Sequence, residues 1–125
     1  MAYSIAAAQR IIICPCEHES DTEVDNCVLL GGVITQVSET RYSPAGIPIT
    51  RLVLDHRSAQ HEAGLPREAR CQLPVLLCGQ TFQPLLQTLI PGHSVRVRGF
   101  LARANHRRGE ARVVLHATAI EPLRT

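Results

Sequence analysis

From Asn26 onward the apolar positions fall in short runs separated by polar, Gly- or Pro-marked breaks, a pattern of strands. Residues 28–34, Val-Leu-Leu-Gly-Gly-Val-Ile, form the first apolar run, with two Gly in its middle. Gly inside a strand marks a bulge or a tight bend at a barrel corner. Residues 35–40 carry this strand toward the surface. Ser43-Pro-Ala-Gly46 reads as a turn, because Pro presets one central φ and Gly follows. Residues 49–54 predict a second strand, and the polar residues 58–66, ending Gly-Leu-Pro, predict a loop. Residues 69–78 predict a third strand, in which Pro74 implies an edge or a bulge. Between 80 and 90 the spacing of Leu85, Leu86, Leu89 and Ile90 gives one apolar face of a short helix, stopped by Pro91-Gly92. Residues 94–102 begin in strict alternation, the mark of a half-buried strand. A polar loop over 103–110 and a last strand over 111–120 complete the pattern.

Three strands, a helix and two strands is the element order of a five-stranded OB-fold barrel, an all-β fold with one short helix. Closing such a small sheet removes its open edges. Residues 1–23 share no periodicity with the strand-forming region. They hold an apolar patch at Ile11-Ile-Ile13, then Cys-Pro-Cys and an acidic string, and read as an N-terminal extension, disordered or an artefact of start-site choice. The barrel domain then spans 24–125.

Composition narrows the chemistry. Aromatic residues are confined to Tyr3, Tyr42, Phe82 and Phe100, so the core must be aliphatic, and the scarcity counts against a base-stacking platform of many rings. The net charge of +2 hides an asymmetry: residues 26–125 alone carry 12 Arg against 6 acidic residues. No Lys is present, so every fixed side-chain cation is an Arg, which forks phosphate bidentately and stacks on bases. The five Cys are odd in number and show no disulfide framework; Cys27, Cys71 and Cys78 lie in apolar runs and read as small buried hydrophobes. No apolar run approaches the length of a membrane span, and the 5–14 run is a poor signal peptide, which makes a cytoplasmic protein the expectation.

Several blocks resemble the primosomal replication protein N (PriB) family, small relatives of the single-stranded DNA-binding protein SSB. They are Asn26-x-Val-x-Leu-x-Gly32, the turn Tyr42-Ser-Pro-Ala-Gly-Ile-Pro48, and Leu54-Asp-His-Arg-Ser58 with Gln60 and Glu62-Ala-Gly64. Cys71-Gln-Leu-Pro-Val75, Val97-Arg-Gly-Phe-Leu101 and Val114-Leu-His-Ala117 continue the likeness over about residues 26–121. The resemblance implies a homodimer of OB-folds that binds single-stranded DNA in replication restart. It also implies stimulation of the primosomal helicase PriA, contact with other primosome proteins and help in loading the replicative helicase. It points to Arg57, Arg67 and Arg70 around the loop between the second and third strands. In and after the loop between the fourth and fifth it points to His106, Arg107, Arg108 and Arg112. Where some relatives carry aromatics this chain has Leu65 and Arg70, so Arg must substitute through its charge and planar face. The matched region would start near Val24, and a valine codon there can be an initiation codon read as methionine.

Independently of the resemblance, Arg103, Arg107, Arg108 and Arg112 crowd one hairpin, a local anion attractor whose plainer reading is a solvated loop. Arg96 and Arg98 share one strand face, most simply a solvent face. Cys14, Cys16 and His18 have metal-binding residue types but lack the second half of a structural zinc site, and no metal or cofactor is expected. Phe100 is expected to pack, and Tyr42 is left open between packing and stacking. His56 and His116 are placed near strand ends without an acid–base partner. No nucleophile elbow, Walker-type loop or paired-carboxylate set is present, so an enzyme, including a small hydrolase on an OB-like barrel, is not expected. The alternative to a DNA-binding role is a protein-interaction module of the replication machinery that touches DNA weakly.

Overall fold

The computed structural model describes residues 24–104 and 112–123. Its strands are β1 (Val28–Val37), β2 (Arg41–Tyr42), β3 (Pro48–Glu62), β4 (Leu65–Cys78), β5 (Ser94–Arg103) and β6 (Val113–Pro122), with a 3₁₀ helix over Gln80–Thr88. β1, β5, β6, β4 and β3 are neighbours in that order, and β1 also pairs with β3, which closes a five-stranded barrel. The fold is the OB-fold that the element order implies. β2 is a short flap on β3, pairing Arg41 with Ile49 and Tyr42 with Pro48 across the Ser43 turn.

Closure depends on β1 serving two partners. Its first half pairs with β5, ending at Val33↔Ser94, and its second half pairs with β3, beginning at Val33↔Asp55. The change of partner follows the Gly31-Gly32 pair directly, and a register shift falls just beyond, between Ile34 and Gln36. Asn26 extends the β1–β5 ladder with its side chain. Its Nδ2 donates to the Leu101 carbonyl at 2.8 Å, and its Oδ1 accepts from the Leu101 N–H at 2.9 Å.

The core is aliphatic, as a chain poor in aromatics requires. Ile34, Leu54, Val75, Leu77, Val95, Val97 and Leu115 are fully buried, one or two from each barrel strand. Among the described residues Phe82 is the single aromatic ring in the core cluster, which places it, rather than Ile90, on the helix's buried face. The element is a 3₁₀ helix with Pro84 inside it, so its repeat is three residues and Phe82 and Leu85 share a face. Ile90 lies past its end and is exposed.

The expected loop over 58–66 is a correction. β3 and β4 stay paired without a break out to Glu62↔Leu65, so the segment is a two-stranded arm. Ala63 and Gly64 make a two-residue turn with φ of 55° and 78°, the left-handed pair that suits a tight hairpin. Most side chains along the arm are exposed. Its pairing therefore left no apolar alternation to read.

Three cysteines also differ from expectation: Cys27 is half-buried and disulfide-bonded. Cys71 and Cys78 are exposed, because Cys71 sits where the arm leaves the core and Cys78 ends β4. Pro74 behaves as an edge residue would. It pairs with Val53 immediately before the stretch where β4 gains β6 as a second neighbour, so its missing N–H costs no second ladder.

Candidate nucleic-acid interface

Alternation along β3 decides which cations face out. Thr50, Leu52 and Leu54 are buried, so Arg51 and Arg57 project from the outer face. Arg57 lies directly opposite Arg70 of β4, which brings two of the sequence-predicted residues together. Like charges directly opposed on a ladder repel. The repulsion is answered by Glu68, whose carboxylate accepts a hydrogen bond from Arg57 Nε. That bond holds the Glu68 carboxyl below the ordinary carboxylate range; slight desolvation opposes it, and the charges of Arg57 and Arg70 add to it. Arg67, across the ladder from Gln60, pairs with Glu62 at 3.3 Å. An open groove of about 530 Å³ runs along the arm, lined by Arg57, Ser58, Ala59, Pro66, Arg67 and Glu68.

The root of the arm is braced to the barrel. His56 Nδ1 lies 2.6 Å from the Gly31 carbonyl, its Nε2 lies 2.8 Å from Ser58 Oγ, and Gln60 Nε2 donates to the same hydroxyl at 2.8 Å. His56 is thus interior to a long strand, not near its end, and ties β3 to β1.

Of the second predicted cluster, Arg103 and Arg112 are described, and they sit where β5 ends and β6 begins. Arg103 ends β5 opposite Val113, and the Ala104 N–H donates to the Arg112 carbonyl at 2.9 Å. His106, Arg107 and Arg108 lie outside the described residues. β4 and β6 run parallel, with Val75↔Leu115 and Leu76↔His116 in register. The start of β4, at the arm tip, and the start of β6, beside Arg103 and Arg112, therefore lie toward the same end of the barrel.

Sequence reasoning missed a third group. Ser38, Glu39, Arg41, Tyr42, Ile49, Arg51 and Leu76 line a cleft of about 510 Å³ where β2 folds over β3. Tyr42 is 66% exposed there. Among the described residues, neither Arg41 nor Arg51 is in an ion pair. The signal was present: Arg51 lies between inward Thr50 and Leu52, and β-alternation puts it outside. The flap that brings Arg41 beside it could not be read from periodicity.

Phe100 packs as expected, but at the surface against another ring. It is 41% exposed on the outer face and stacks on His116, with ring centroids 5.0 Å apart and planes 4° from parallel. The shift of register between Arg98 and Gly99 goes with this. A Cβ on Gly99 would stand 1.9 Å from the His116 carbonyl oxygen, so only glycine permits the approach. Arg96 and Arg98 do share the outer face of β5; Arg96 pairs with Glu121 at 3.3 Å. Among the described residues there is no cluster of three metal-ligating side chains and no helix long and apolar enough to cross a membrane. Cys14, Cys16 and His18 lie outside them.

A closed barrel with cations on a paired arm and a neighbouring hairpin has close counterparts. A family model described as another single-strand binding protein family matches residues 26–119. The replication restart protein PriB of Photorhabdus laumondii is 43% identical over 96 residues, spanning 77% of this chain and 91% of that protein. The solved structure of PriB from Ralstonia solanacearum superposes with a TM-score of 0.68 at 26% identity, covering 80% of this chain and all of the other. The single-stranded DNA-binding protein of Thermus aquaticus matches with a TM-score of 0.65 and 32% identity, over 79% of this chain and 50% of that one. The fold and the matches together define the class: SSB-like OB-fold proteins. Within it, the chain belongs to the PriB family.

Proposed function

We propose that this protein is a non-catalytic, cytoplasmic accessory of replication restart that binds single-stranded DNA. The observation that carries the reading is the gathering of Arg57, Arg70, Arg103 and Arg112 toward one end of the barrel. Phosphate attracts such a surface without regard to sequence, and each neutralised phosphate releases counterions. Arg51 lies on the same outer face of β3 as Arg57, about 20 Å further along at the ordinary strand rise, with Arg41 of β2 level with Ile49 beyond it. A strand of DNA lying on this face would meet cations at both ends of its path. His106, Arg107 and Arg108 are included in the proposed DNA-binding set on their sequence alone, as cationic residues between Arg103 and Arg112.

The working unit is a homodimer, and its role is to stimulate the PriA helicase and to help other primosome proteins load the replicative helicase. Family membership supports this part. A second reading, an interaction module with weak DNA binding, draws on one observation: Arg57 and Arg67 are already held by Glu68 and Glu62. Titrating a labelled oligothymidylate with the isolated protein, beside a PriA unwinding assay, separates the two. DNA binding and stimulation that fall together on Arg57→Ala/Arg70→Ala support the first reading. Stimulation that survives loss of DNA binding favours the second.

A further inference from the structure

We propose that Glu68 sets the DNA affinity of the arm by occupying Arg57 in the free protein and giving it up to a phosphate on binding. This rests on the proposed single-stranded DNA binding. Arg57 and Arg70 are opposed across the ladder, and Glu68, two residues before Arg70, is on their face. One carboxylate thus neutralises part of a two-cation pair, the charge arrangement that a phosphate oxygen would also satisfy. The pair is open to solvent, with side-chain exposures of 66% for Arg57 and 48% for Glu68. Exposed ion pairs are weak, so the exchange of partner is easy, but it must still occur before Arg57 can fork a phosphate. The depressed proton affinity of Glu68 agrees with a carboxylate that is engaged in the free state. Arg67 and Glu62 form a second exposed pair on the other face of the arm, where Arg67 lies opposite Gln60 and not another cation. The arm is therefore a self-masked cation surface, and its acidic residues act through the arginines they hold.

The test is a titration of a fluorescein-labelled oligothymidylate with Glu68→Gln, Asp25→Asn and the wild type, each also in an Arg57→Ala background. Asp25→Asn makes the same change of net charge at an exposed residue without an ion pair among the described residues. Glu68→Gln should tighten binding by roughly two- to fivefold, the size of one weak surface pair. Asp25→Asn should leave it nearly unchanged, and the gain should vanish when Arg57 is absent. Matching melting temperatures show that the fold is not the cause. An equal gain from Asp25→Asn, or a gain that persists without Arg57, overturns the masking. If the wild type itself does not bind the oligonucleotide, the DNA-binding reading fails first and this inference falls with it.

Discussion

The barrel and the arm share two strands, β3 and β4, yet different forces hold them. Below His56, β3 and β4 carry Leu52, Leu54, Val75 and Leu77 into a dry core, and each strand has neighbours on both sides for part of its length. Beyond it, the ribbon has only its own ladder and the turn at Ala63-Gly64. Burial of an aliphatic side chain contributes about 1.5–3 kcal/mol, so the barrel is stabilised by packing. The arm has little to bury and relies on backbone pairing, with exposed ion pairs that add little. Its side chains are correspondingly exposed to a ligand, although Arg57 and Arg67 must first leave Glu68 and Glu62. The stable region presents the less stable one, and the His56–Ser58–Gln60 chain marks the junction.

If that contrast holds, substitutions should divide by region. Leu54→Ala, at a fully buried site, should cost about 3 kcal/mol in a urea unfolding titration. Gly99→Ala should cost about 2 kcal/mol or more, because the new methyl meets backbone that cannot rotate away. Asn26→Ala removes two hydrogen bonds to Leu101 and should cost about 1–2 kcal/mol. Arg57→Ala/Arg70→Ala should change stability by no more than about 0.5 kcal/mol, while weakening DNA binding. A large stability loss from the arm pair, or a neutral result at Leu54, would dissolve the distinction.

The same contrast explains what could be read in advance. Periodicity reports burial, so the five barrel strands and the OB order were legible wherever one face is dry, as in Val95 and Val97 alternating with Arg96 and Arg98. It does not report pairing. The arm, whose faces are both wet, looked like a loop although its hydrogen bonds are regular. Phe100 packs, as expected, but the strand parity that buries Val97 and Gly99 turns it outward onto His116, a partner that depends on register. Charge told which residues to suspect at the site. It could not tell that Arg57 and Arg67 would be found already paired, or that the β2 flap would bring Arg41 to Arg51, because both depend on cross-strand register.

The salt dependence of oligothymidylate binding tests the central claim most directly. Each phosphate neutralised by an Arg adds about −0.7 to the slope of log affinity against log salt for a single strand. The wild type should therefore bind with a steep slope and little preference for base composition. Arg107→Ala/Arg108→Ala and Arg57→Ala/Arg70→Ala should each flatten the slope by roughly 1.4, if each Arg makes one contact. Unchanged slopes in both double variants would show that neither the hairpin nor the arm touches the phosphate backbone, and would contradict the claim.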